Sequence, residues 1–226
     1  MTSDELACCV DALFTDMGPT KSQFDSYCLK VEQLALRALV LPPRLVTSAG
    51  RRLGATSTKI VALVGYPFGA YPLKAKLSDA EETVKRGAGS LEFVLNPDAL
   101  ADANYEELES GLRCLAGILP GTEIGLIAEA GYLPADAWSA VCRAASENGI
   151  SYVVCTAGFG GSSTVTPELI ASLRANAPRG LRLKAWHGIG SLGGVEALRE
   201  AGASLVGLPT LALERLAEEA KTRGVA

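Results

Sequence analysis

Eight short apolar runs, rich in Val, Leu, Ile and Ala, recur along this chain at a mean spacing of about 28 residues, the length of a strand–helix unit and too long for a hairpin. They cover residues 10–15, 36–41, 59–66, 90–96, 123–129, 151–156, 181–186 and 204–208. Amphipathic stretches lie between them, for example 79–87, 134–149, 167–178 and 194–202. Several open on Ser, Asp or Pro and stop at Gly, as helix caps do. An alternation of this kind predicts a (β/α)8 TIM barrel, with residues 1–226 as one domain and no linker or change in composition to divide them. The competing topology, a doubly wound open sheet, would normally place a GxGxxG turn after its first strand, and none is present.

Composition narrows the class further. The chain has 226 residues, 48% of them hydrophobic and 20% charged, which suits a globular protein with a large aliphatic core. A net charge of -4 with no basic run gives no electrostatic footprint for nucleic acid. No apolar run approaches the roughly 18 residues of a membrane span, and the start, MTSDELACCVDALF, has no basic leader. The expectation is a cytoplasmic protein with no nucleic-acid or membrane partner. Six cysteines without CxxC spacing and a single histidine, His187, predict no metal site and no cofactor.

Strand polarity points to where chemistry could sit. Alternate residues face opposite ways, so Leu91, Phe93 and Leu95 share one face and Glu92, Val94 and Asn96 the other. By the same rule Arg182, Lys184 and Trp186 oppose Leu181, Leu183 and Ala185, while Gly125, Ile127 and Glu129 oppose Leu126 and Ala128. Three strands therefore carry charge on the face a barrel turns inward, near the end where barrel active sites form. The run Ser151-Tyr-Val-Val-Cys-Thr-Ala-Gly-Phe-Gly-Gly161 reads as a buried strand emptying into glycines, whose freed amides can approach a ligand closely.

Several of these segments resemble deoxyribose-phosphate aldolase, a family of Schiff-base aldolases built on a TIM barrel. Gly65-Tyr-Pro-Phe-Gly-Ala70 is similar to the family's Gly-Phe-Pro-x-Gly-Ala, and Lys85-Arg-Gly-Ala-Gly-Ser-Leu-Glu-Phe-Val-Leu-Asn96 to its Lys-x-Gly-Ala-Asp-Glu-Ile-Asp-x-Val-x-Asn. Ile127-Ala-Glu-Ala-Gly131, Ala157-Gly-Phe159, Lys184-Ala-Trp-His-Gly-Ile189 and Ala201-Gly-Ala203 with Gly207 follow in the family's order. The resemblance implies a small carbonyl or phosphorylated substrate, an aldol cleavage through an imine, and a homodimer.

Departures from the pattern fall on the chemistry. The resemblance places the imine-forming lysine at Val154, and a valine is no nucleophile. The first strand keeps Asp11 but loses the family's histidine, threonine and lysine, and the fifth-strand lysine becomes Gly125. The phosphate-binding turns become His187-Gly-Ile-Gly190 and Gly207-Leu-Pro-Thr-Leu211, where proline has no amide hydrogen to donate. Cys155 neighbours Val154, but alternation sends it toward the helices, where a structural thiol is the simpler reading.

The residues that remain carry two readings each. Lys184 matches the family's second active-site lysine; it is equally an ion-pair partner of Glu92 or Glu129, or an amine that itself forms a Schiff base. Glu92 stands where the family has its proton-relay aspartate, with Asp11 as a weaker acid–base candidate. Substrate contacts fall to Gly158, Phe159, Gly160, Gly161 and Ser162, with Glu129, Trp186, His187, Gly188 and Gly207 around them. Trp186 either fills the pocket mouth or stacks on a flat ligand; His187 is a general base or an ordinary surface histidine. Lys74, Lys76, Lys85 and Arg86 read as a solvated helix face. Two functions follow: a diverged aldolase or lyase using Lys184 and Glu92, or a catalytically inactive homologue that binds a metabolite or a partner protein.

Overall fold

The structure is a computed structural model describing residues 2–96, 105–158, 165–186 and 190–223. Eight parallel strands close on themselves in sequence order: β1 (Val10–Leu13), β2 (Ala38–Leu41), β3 (Lys59–Val64), β4 (Ser90–Val94), β5 (Glu123–Ile127), β6 (Tyr152–Val154), β7 (Arg182–Trp186) and β8 (Leu205–Pro209). β8 pairs with β1 through Val10↔Val206 to Leu13↔Pro209, so the sheet has no free edge. This is the (β/α)8 barrel that the spacing predicts. Several strands are shorter than their apolar runs because the last residues curl into the loops while keeping ladder bonds, as Leu95 N–H does to Ile127 O at 3.0 Å.

Around the barrel lie α1 (Ser3–Cys9), α2 (Lys21–Gln33), α3 (Val46–Leu53), α4 (Leu73–Lys85), α5 (Tyr105–Ile118), α6 (Ala135–Glu147), α7 (Pro167–Ala175), α8 (Leu192–Glu200) and α9 (Thr210–Arg223). Their starts follow local chemistry. Thr20 and Gln23 form a reciprocal capping box on α2, Thr166 caps α7 ahead of Pro167, and Ser191 caps α8 by accepting from Gly194 N–H. α4 begins six residues before the 79–87 stretch suggests, because Pro72 fixes the turn that launches it. That places Lys76 one turn inside the helix, against the barrel.

The buried side chains separate into two layers, as the period-two alternation requires. Leu91, Phe93, Leu95, Leu126, Ala128, Leu183 and Ala185 face the helices with Cys155. Leu13, Val40, Leu63, Val94, Ile127, Tyr152, Val154 and Trp186 face the lumen. Two strand glycines make the second layer possible. A Cβ on Gly125 would fall 2.3 Å from the Tyr152 ring, and one on Gly207 would fall 2.2 Å from the Trp186 indole. Each aromatic side chain thus occupies the space its neighbouring strand leaves by having no side chain.

Candidate active site

Inside the barrel the charged groups meet. Lys184, at the middle of β7, is fully buried and its Nζ lies 2.5 Å from Asp11 Oδ2 on β1 and 2.5 Å from Glu92 Oε1 on β4. Both carboxylates are themselves fully buried. The Tyr152 hydroxyl donates to the same Glu92 oxygen at 3.0 Å, and the ammonium stands 5.8 Å from the Tyr152 ring centre. Burial, and then the Glu92 carboxylate, push the Tyr152 phenol far above its usual range, so it serves as a donor. Asp11 is also gripped by Arg37, whose Nε donates to Oδ1 at 2.6 Å. One step lower, Glu123 at the start of β5 takes Arg182 and Lys59 at 2.7 and 2.8 Å, with Arg37 at 3.7 Å.

The sequence anticipates the pairing of Lys184 with Glu92. Asp11 supplies the second carboxylate, and Glu129 does not take part. Glu129 instead turns to the loop after β6, where it accepts from the Thr156 hydroxyl at 2.8 Å and from the Ala157 amide. Thr156 in turn accepts from Gly158 N–H at 2.8 Å. Glu129 and Gly158 are therefore occupied with shaping that loop.

Val154 ends β6 as the register partner of Lys184 and is fully buried in the lumen. Its neighbour Cys155 packs on the helix side, and burial pushes its thiol up to about 12, which removes it as a thiolate nucleophile. Trp186 is fully buried and meets Tyr66 edge to face at a centroid distance of 5.7 Å. Its indole lies in the cradle of Gly207, where a Cβ would fall 2.2 Å from it. Near the β7 and β8 turns, a Cβ on Gly190 would sit 2.7 Å from the Ala212 backbone, and the Thr210 hydroxyl is bonded to Asp16 at 3.2 Å. Phe159, Gly160, Gly161, Ser162, His187 and Gly188 lie outside the described residues.

Lys76 requires a correction. Rather than lining a solvated helix face with Lys74, Lys85 and Arg86, it is buried and donates to the carbonyls of Gly69 and Val94 at 2.9 and 3.1 Å. The early start of α4 turns this position inward. Arg37, Tyr152 and Glu123 are likewise members of the polar network that the sequence reading missed. Tyr152 was within reach: if Val154 faces the lumen, the residue two positions before it does too. Arg37 falls within the 36–41 run but one residue before β2, and alternation groups it with Leu39 and Leu41, which face the helices.

Known proteins agree with this architecture. No family model matches the chain. The deoxyribose-phosphate aldolase of Geobacillus sp. (strain WCH70) is 26% identical over 205 residues, covering 90% of this chain and 92% of that protein. That of Methanothermobacter thermautotrophicus is 27% identical over 211 residues, covering 92% and 93%. Among solved structures, an aldolase designated QR15 superposes with a TM-score of 0.89 at 24% identity, over 97% of both chains. The tetrameric deoxyribose phosphate aldolase of Aeropyrum pernix gives 0.84 at 22%, over 98% and 93%. In fold, and in sequence along most of its length, the chain is a homologue of proteins named deoxyribose-phosphate aldolase.

Proposed function

We propose that this chain is a homologue of the deoxyribose-phosphate aldolases that has given up imine chemistry and keeps the barrel as a catalytically silent scaffold for binding. The observation that carries this reading is the apolar, fully buried Val154 at the end of β6, where the family resemblance puts the imine lysine. Lys184 does not replace that amine. Its Nζ is engaged by two carboxylates at 2.5 Å on either side and is fully buried between them, so it is not placed to meet a carbonyl substrate. Trp186 and Tyr66 fill the space toward the strand ends, and the close packing of Gly190 on Ala212 narrows the gap where a phosphate would lodge. In this reading Lys184, Glu92 and Asp11 hold strands β7, β4 and β1 together.

One observation favours a second reading. Glu92 Oε2 is buried without a hydrogen-bond partner among the described residues, the condition of a carboxylate positioned to exchange a proton with a substrate or a water. On that basis Lys184 and Glu92 would serve a diverged aldolase or lyase acting on a carbonyl, possible only when Trp186 swings aside. A homodimer, implied by the resemblance, is compatible with either reading, and sedimentation of the purified chain tests it.

Borohydride trapping separates the two. The protein is incubated with 2-deoxyribose 5-phosphate, or with acetaldehyde, reduced, and mapped by peptide mass. The silent-scaffold reading expects no adduct on any lumen lysine and no released aldehyde. A reduced adduct on Lys184, or turnover of the sugar phosphate, overturns it.

A further inference from the structure

Outside the barrel lumen, among the described residues, the chain buries one cation that the charge network does not use. Lys76 is 4% exposed. Its stem passes over Gly65, where a Cβ would fall 2.7 Å from Lys76 Cδ and where φ is +73°, so the third-strand glycine is what lets the lysine through. Its Nζ donates to Gly69 O and Val94 O and stands 4.8 Å from the Phe93 ring centre. An ammonium has three protons; the third has no protein acceptor among the described residues, and no carboxylate among them pairs with it. Burial alone pushes this group down to about 8, so it is still mostly charged at pH 7. A buried charge with only neutral partners is an incomplete arrangement.

What would complete it lies alongside. A cavity of about 270 Å³ opens on the helix side of β4, between α4 and α5, with Tyr71, Leu73, Phe93, Asn96, Leu108 and Leu112 on its wall and Lys76 as its only charged lining residue among the described residues. Phe93 belongs to the helix-facing layer, so this space is separate from the lumen. A mainly apolar wall with one ammonium suits an apolar body ending in one negative charge. Two carbonyl oxygens already crowd Nζ, and the described residues offer no nest of amides, so a doubly charged phosphate would meet repulsion without enough donors.

We propose that this cavity binds a small monocarboxylate with a flat or branched apolar body, whose carboxylate accepts the third Lys76 N–H. The volume fits a ligand of about ten non-hydrogen atoms, at the small end of ligand pockets. The inference goes beyond the reading of the lumen, and it stands whether or not the barrel turns over a carbonyl compound.

Calorimetric titration of the intact chain with phenylacetate, and with its neutral analogue phenylacetamide, tests this. Saturable one-to-one binding of phenylacetate with a dissociation constant at or below about 1 mM is expected, with the amide weaker by about tenfold, the worth of one charge-assisted hydrogen bond. Lys76→Met keeps the stem and should abolish that preference. Gly111→Met is the control for folding: a Cβ there meets only the Leu73 side chain, at 3.6 Å, and α5 gains a better helix former. This variant should keep or raise its Tm while losing phenylacetate binding, because the new chain occupies the cavity. No saturable phenylacetate binding, equal affinity for the amide, an unchanged preference in a folded Lys76→Met, or undiminished binding in Gly111→Met each overturns the proposal.

Discussion

The two halves of the barrel lumen have opposite chemistry. Near the strand starts and middles, Glu123, Arg37, Arg182, Asp11, Lys184 and Glu92 form an almost unbroken chain of opposite charges with the Tyr152 phenol at its end. Near the strand ends, Leu13, Leu63, Val94, Ile127, Val154 and Trp186 are packed and apolar. In TIM-barrel enzymes the C-terminal face carries the reaction and the opposite face carries stability. Here the titratable groups lie at the strand starts and middles and the strand ends are filled with hydrocarbon. The difference teaches that one barrel interior can hold a buried charge network and a packed apolar layer side by side.

The largest effect should come from breaking the charge network. Lys184→Met leaves two buried carboxylates, of which only Asp11 retains a cation, through Arg37. Removing one partner of a buried ion pair costs about 3–5 kcal/mol, which urea unfolding would register as a large drop in midpoint. A loss below about 1 kcal/mol would mean that the charges are hydrated and that the lower lumen is not dry.

Overfilling the upper half gives the next effect. Gly207→Ala drives a methyl to within 2.2 Å of Trp186, and overpacking of this kind costs about 1–3 kcal/mol. Trp186→Leu in the same chain should recover most of it, and the double-mutant cycle reads the coupling between the two sites. If Gly207→Ala alone is neutral, the indole is free to leave its cradle and the upper lumen can open as a pocket, which would sharpen the case for a substrate site.

The barrel itself was legible because the strand–helix spacing and the period-two alternation are local properties that the tertiary structure only has to obey. The same alternation placed Glu92, Lys184 and Trp186 in the lumen and sent Cys155 to the helices. What it could not supply was pairing across the barrel: Asp11 and Lys184 are 173 positions apart, and only closure of β8 on β1 brings their strands to the same interior. The bonding of Glu129 to the loop after β6, and the burial of Lys76, escaped the pattern for another reason. Both residues stand next to loops, where a shift of a few residues in an element's start redirects a side chain and no periodic pattern records it.

The smallest effect separates the halves by pH. Glu123 closes the lower end, and although burial alone would raise its carboxyl, hydrogen bonds from Lys59 and Arg182 and the charge of Arg37 bring it down from 4.5 to about 2. A carboxylate held below its unfolded value contributes stability that is complete above about pH 4.5 and is lost as pH falls toward 2. Lys59 and Arg182 are substantially exposed, so solvent screens the pair and the contribution is on the order of 1–2 kcal/mol. Unfolding midpoints of Glu123→Gln and of the unaltered chain should differ by that amount at pH 6 and converge as pH approaches 2. A change confined to the apolar half, such as Leu63→Ala, should instead lower the midpoint by a similar amount at every pH, because no proton is bound or released at that site. If the Glu123→Gln difference also holds constant with pH, its carboxylate is contributing through packing, and the description of the lower lumen as a charge network fails at its outermost link.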